Sequence, residues 1–351
     1  MRFFGLLVSM LLCMAVAACG GGGSDSSASN AGGGGSGSSG SSTGGGSSSG
    51  SACGISSTDS LVAISFTGVV GSAQFASGGS QLNYSGGLNG SLPLVQDGSS
   101  SACMDSAGSA TSMRTAMQTG TTGMGVSHVT VGGVNQPALL LNSSGLASNS
   151  SLAALQGSYV VLRNQQDTSG GGQTRMSYAS FTIDGSGNWS MCKNAANCSS
   201  PTATGSLSAT SGSSTAFDLS AGGLVRAKVY LMGTGANRVL VVAEDDTGGG
   251  SVVTGIWVGM PQSAWAPVAG TYVVNSTDAT QQQLTLASTS LSANSQSHAL
   301  TADSPITGLA VATATDTNYL LATPSGVLVT GNNTNNNFSN GPAYFSFGVK
   351  P

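Results

Sequence analysis

Charge is what this chain has least of. Only 6% of its 351 residues are Asp, Glu, Lys or Arg, against about 25% in ordinary soluble domains. Nine Lys and Arg stand against 13 Asp and Glu, for a formal net charge of −4, and the cations form no run along the sequence. Nucleic acid is therefore excluded as a partner, since binding its backbone takes a dense set of Lys and Arg, and so is attraction to anionic lipid. Histidine is scarcer still, with two residues, and the six cysteines show no C-x₂-C spacing. With the two histidines isolated, a zinc site lacks its pattern, and no metal or cofactor is expected. Ser, Thr, Asn and Gly must supply the polar surface, a composition common in exported β-rich proteins and rare in cytosolic enzymes.

Long apolar runs are also missing, with one exception. Phe3 to Ala18 is apolar apart from Gly5 and Ser9 and follows Arg2. At about 16 residues it is shorter than the roughly 20 of a comfortable span and has the layout of a secretory signal. It ends in Val16-Ala17-Ala18-Cys19. This tetrapeptide resembles the lipobox of bacterial lipoproteins, and the resemblance implies that residues 1–18 are removed and that Cys19 carries the lipid, with palmitate-type acyl chains. Two or more chains hold a protein stably in a bilayer, whereas one is marginal. Gly20 stands where an aspartate would favour inner-membrane retention, so the family rule points to the outer membrane, on its periplasmic face or at the cell surface.

Residues 19–52 follow as a Gly/Ser tether in which Asp25 is the one charge. Such a segment has no apolar surface to bury and is expected to be a flexible coil with an end-to-end distance on the order of 30 Å. A poly-Gly tether directly after the cysteine is similar to those of several neisserial surface lipoproteins. Gly46-Ser47-Ser48-Ser49-Gly50 fits G-x-S-x-G but lacks the strand-to-helix setting that the hydrolase elbow needs.

Beyond the tether some 300 residues suffice for a real core. Four cysteines remain, Cys53, Cys103, Cys192 and Cys198, and they allow three pairings. Cys53–Cys103 with Cys192–Cys198 is favoured because each bridge then closes a loop within one region, as suits an oxidising compartment. Residues 53–150 form a β-rich region, with strands at Leu61–Phe66, Ser72–Phe75 and Gln81–Tyr84 and a hairpin from His128–Val131 and Ala138–Leu141. Met113 and Met117, four apart within Ser109–Gln118, give the one plausible helix.

Residues 151–262 and 263–351 read as two copies of a β-meander. Leu155-Gln156-Gly157-Ser158-Tyr159-Val160-Val161 recurs as Val268-Ala269-Gly270-Thr271-Tyr272-Val273-Val274. Asn237–Leu240 is echoed by Asn318–Leu321, Val252–Gly255 by Leu328–Gly331, and Trp257–Pro261 by Ser346–Pro351. The first copy holds eight short candidate strands, many of which alternate apolar with polar, separated by Gly-rich turns, which is the pattern of an antiparallel meander. The fold class is thus all-β, with tandem small barrels or sandwiches and a β-solenoid as the runner-up. The opening Gly-x-Tyr resembles that of lipocalin-like barrels; no ligand site comes with it.

Few residues promise chemistry. Asp184-Gly185-Ser186-Gly187-Asn188 resembles the start of a calcium loop but lacks the later Gly and Glu, so it reads as a hairpin turn. Glu244-Asp245-Asp246 reads as a solvated loop. His128 and His298 lie in distant regions, and no catalytic residue is assigned. Trp257, Trp265, Tyr272, Tyr344, Phe345 and Phe347 read as core rather than cavity lining. The expected function is non-enzymatic: an outer-membrane lipoprotein that binds a protein or glycan partner at the cell envelope. The alternatives are a lipocalin-like carrier of a small apolar ligand and, more distantly, a hydrolase.

Overall fold

The computed structural model describes residues 59–76, 80–96, 103–105, 113–118, 123–169, 173–195, 198–245, 253–277, 283–293, 295–313, 317–332 and 344–351. The lipobox, Cys19, the tether and Cys53 lie outside the described residues.

Apart from three short 3-10 turns, the regular structure of the described residues is all strand, in three consecutive units. Unit I comprises β1 (Ser60–Ser65), β2 (Val70–Phe75), β3 (Gln81–Gly86), β4 (Gly90–Gln96), β5 (Cys103–Asp105), β6 (Ala116–Met117), β7 (Met124–Val131) and β8 (Val134–Asn142). Barrel II comprises β9 (Gly157–Asp167), β10 (Gln173–Ile183), β11 (Asn188–Lys193), β12 (Ala203–Ala209), β13 (Phe217–Ala221), β14 (Leu224–Met232), β15 (Val239–Asp245) and β16 (Val253–Pro261). Barrel III comprises β17 (Gly270–Ser276), β18 (Gln283–Leu286), β19 (Ser290–Ala293), β20 (Gln296–Thr301), β21 (Ala310–Thr313), β22 (Thr317–Ala322), β23 (Val327–Asn332) and β24 (Phe345–Val349).

Barrels II and III are closed up-and-down barrels in which each strand pairs antiparallel with its sequence neighbours. β16 returns to β9, with Val258 opposite Leu162, and β24 returns to β17, with Gly348 opposite Val274. Closure leaves no strand edge to template aggregation. Unit I has the same circular order, β8 returning to β1. Among the described residues, its β5 and β6 edges meet at the bridge Cys103↔Thr115, through N–O contacts of 2.8 and 3.0 Å. The sequence shows two meander copies; unit I repeats their strand order as an eight-stranded half-barrel sheet.

The end matches of the repeat fall on equivalent strands and share a physical role. Tyr159 and Tyr272 are buried, and each phenol donates to the carbonyl four residues back, Leu155 at 2.8 Å and Val268 at 2.7 Å, sealing one barrel end. The two middle matches do not correspond. Asn237–Leu240 leads into the seventh strand of barrel II, whereas Asn318–Leu321 lies in the sixth of barrel III. Val253–Gly255 opens the eighth strand, whereas Leu328–Gly331 lies in the seventh. Those two likenesses reflect shared strand composition.

The expected helix is also corrected. Residues 113–118 are extended, with Ala116 opposite Val126 and Met117 opposite Gly125. The side chains follow the period of 2: Met117 enters the core of unit I while Ala116 faces outward. Ser109–Ser112 lies outside the described residues. Cys192 and Cys198 are disulfide-bonded, with Cα atoms 5.3 Å apart. Cys103 is a disulfide cysteine as well.

Each unit has its own inner core, but the largest apolar cluster lies between units. Along β9, Tyr159 and Val161 point into barrel II, while Val160 and Leu162 point outward into this shared seam. Phe66 of unit I meets Phe345 of barrel III edge to face, centroids 5.3 Å apart, and Tyr178 meets Tyr319 at 4.9 Å between the two barrels. Asn275 of barrel III is fully buried. Its Oδ1 accepts from Arg114 N and its Nδ2 donates to Arg114 O and Ser127 O of unit I, each at 2.8 Å. Gly68, at φ +85°, brings the β1–β2 turn onto barrel II so closely that a Cβ would lie 2.3 Å from Glu244 O.

Candidate functional site

The inner-facing residues of barrel II change character along its axis. The sealed end is packed with Leu155, Tyr159, Phe181, Ile183 and Leu207. At the other end the inward positions of β9, β10, β11 and β15 carry Arg163, Gln165, Arg175, Lys193 and Glu244 around a cavity of about 300 Å³, and Arg226 from β14 completes its wall. Four of the nine Lys and Arg in the sequence thus line one mouth. Among the described lining residues Glu244 is the one carboxylate. Opposite the charges, β11, β12 and β13 present Met191, Ala203, Leu219 and Ala221, an apolar wall.

Arg163 is the deepest cation, only 2% exposed. Its guanidinium carbon lies 4.2 Å from the centroid of the Trp257 ring, and its Nη2 lies 4.0 Å from Glu244 Oε1, too far for a hydrogen bond. Among the described residues, its buried Nε and Nη1 have no hydrogen-bond partner. Glu244 is committed elsewhere: its Oε2 accepts from Gln165 Nε2 at 2.6 Å and Trp257 Nε1 at 2.7 Å. Gln165 in turn accepts from Arg175 Nε at 2.8 Å, which fixes that guanidinium at the rim. Trp189 donates to Ser220 O at 3.2 Å and lies across Gly205, where a Cβ would come within 2.7 Å of the indole.

Crowding of like charges in a partly desolvated mouth disfavours their protonated forms. Burial pulls the Arg163 pKa down to about 10, against the attraction of Glu244. Lys193 falls to about 8, through burial first and then repulsion from Arg163 and Arg175. Burial lowers Arg175 as well. Glu244 and Asp167 both attract Arg175, and the described lining itself carries four cations to one carboxylate.

The other expected sites fall apart or change role. Glu244 is not part of a solvated loop: it is buried inside barrel II because the β15 period turns it inward while Asp245 is exposed. Asp246 lies outside the described residues. Asp184 makes a hairpin turn, its carboxylate accepting from Ser186 N at 2.9 Å and Asn188 N at 2.8 Å. His128 in β7 lines a pocket of about 230 Å³ with Tyr84 and Ser91, and none of its described lining residues is a carboxylate. His298 sits in β20 of barrel III, opposite Leu291. Trp257 lines the mouth, Tyr272 fills barrel III, and Phe345 and Phe347 fill the seam. Sequence reading missed the cationic cluster, whose members are separated by 12 to 63 positions in the chain; the signal was the strand period at β9, β10, β11 and β15.

Among known proteins, the chain matches no family model, no curated protein and no solved structure.

Proposed function

We propose that this chain is a non-enzymatic binding protein of the bacterial cell envelope, held at the outer membrane by lipid on Cys19, with the mouth of barrel II as its ligand site. The observation that carries the reading is the convergence of four cations on one small cavity in a chain otherwise poor in charge. Clefts lined by one sign of charge focus the field and raise the local concentration of an opposite charge. The site stands on rigid strands, whose positions cost little to organise on binding. His128 lines a different pocket and His298 sits in barrel III. The inner cores fill the rest of each unit with side chains, which disfavours a lipocalin-like carrier holding its ligand deep in a barrel.

The test is to fill the mouth without touching its charges. Ala203→Trp, on the apolar wall, is expected to keep the fold and to abolish the thermal stabilisation that a small-molecule library produces in the wild type. An equal response from both proteins places the site elsewhere. A second reading, docking of a protein or glycan, has its own support. Grooves of about 630 and 560 Å³ flank the Thr67–Val69 turn where unit I meets barrel II, and exposed Val225 and Val134 line them.

A further inference from the structure

We infer that the mouth of barrel II holds a small organic acid, its carboxylate among Arg163, Arg175 and Lys193 and its apolar body against Met191, Leu219 and Ala221. This rests on the reading of that mouth as the binding site and goes further by naming the chemistry of what enters.

Three observations point the same way. The first is the state of Arg163. A buried donor without a partner costs about 1–3 kcal/mol, more if charged, and here two of the three guanidinium nitrogens are buried without one among the described residues. Glu244 does not supply the missing acceptor, because it stands 4.0 Å away and its Oε2 already takes two hydrogen bonds. An incoming carboxylate oxygen would, as the guanidinium turns into the cavity that Arg163 lines. The second is charge: the described lining carries Arg163, Arg175, Lys193 and Arg226 against the one carboxylate of Glu244, with Asp167 also near enough to attract Arg175, a balance that favours an incoming anion. The third is shape. About 300 Å³ is at the low end of small-molecule pockets, and the apolar β11–β13 wall rewards a hydrocarbon face that a hydrated inorganic anion lacks.

The experiment uses the intact protein and three probes: benzoate, its neutral amide benzamide, and inorganic phosphate. Binding is read by calorimetry and by fluorescence of Trp189 and Trp257. Benzoate is expected to saturate, with benzamide at least about tenfold weaker, since a charge-assisted hydrogen bond contributes about 1.5–3 kcal/mol. Phosphate is expected to bind more weakly than benzoate. Lys193→Met and Arg175→Met should each weaken benzoate several-fold and leave benzamide unchanged. Equal affinity for benzoate and benzamide would overturn the acid and leave the mouth as a ligand site. Phosphate binding as tightly as benzoate would overturn the organic body. No saturable binding of any probe would overturn the inference together with the reading on which it rests.

Discussion

Replacing Glu244 by Gln separates the structural and the binding roles of the mouth. The amide keeps an oxygen that can accept from Trp257 and Gln165, now 2.7 and 2.6 Å from the carboxylate, but removes the charge facing Arg163. Two unit charges 4.0 Å apart, the distance from Arg163 Nη2 to Glu244 Oε1, attract by about 4 kcal/mol at an effective dielectric of about 20. Breaking a buried ion pair by removing one partner costs about 3–5 kcal/mol. The retained hydrogen bonds and the long contact place Glu244→Gln at the low end, about 3 kcal/mol less stable. Urea unfolding followed by tryptophan fluorescence reads this directly, since Trp257 is one of the three tryptophans and touches both residues. The same variant should bind benzoate more tightly, because the one repelling carboxylate of the described lining is gone, so saturating benzoate should recover part of the lost stability. A variant within about 0.5 kcal/mol of wild type, the range of an ordinary surface substitution, would refute the account of Arg163 as a buried cation dependent on Glu244.

Benzoate affinity should fall as pH rises through about 8, where Lys193, among Arg163, Arg175, Arg226 and Glu244, loses its proton; titrations across that range with wild type and Lys193→Met, whose affinity should stay flat, check this. The ligand-free protein should gain stability over the same rise, because the unfolded chain still holds a proton on Lys193 that the folded one has released. Asn275→Ala removes three hydrogen bonds between unit I and barrel III and should cost about 3 kcal/mol at about 1 kcal/mol each; a melting curve superimposable on wild type would show that the seam does not depend on it. Cys19→Ser should release the exported protein from the membrane fraction, and its recovery in that fraction would remove the lipid anchor from the proposal.

The strands were legible because their signal is local. In barrel II all eight stretches read as strands are strands; many alternate apolar with polar, since a half-buried strand imposes the period of 2 on its own residues. The helix at Met113 and Met117 failed for the same kind of reason. A spacing of four also fits every second inward position of a strand, and pairing with β7 decided between them. Unit I was not recognised as a copy because the shared feature is strand order. It lacks the Gly-x-Tyr opening, its first strand starting at Ser60-Leu61-Val62, and no four-residue match marks it.

The site was illegible for a different reason. An outward face that reads as apolar, such as Val160 and Leu162 on β9, predicts burial without saying against what; here it is the seam with the other units. Once both faces of β9 are buried, Arg163, Asn164 and Gln165 become three consecutive polar residues that are nearly inaccessible, a pattern that a one-dimensional reading assigns to a turn. Each is explained by what the fold brings to it. Asn164 turns outward and donates to Phe66 O of unit I at 3.3 Å, whereas Arg163 and Gln165 turn inward to the mouth. Desolvating a guanidinium is expensive even when it is well paired, and the continuous apolar run Tyr159–Leu162 of β9, with Tyr159 and Val161 inward, shows that this strand accommodates apolar side chains at neighbouring inward positions. Apolar packing alone gives no reason for Arg163 to stand there. The Trp257 ring and Glu244 hold it in place, and the acceptor that neither supplies is what the proposed acid would bring.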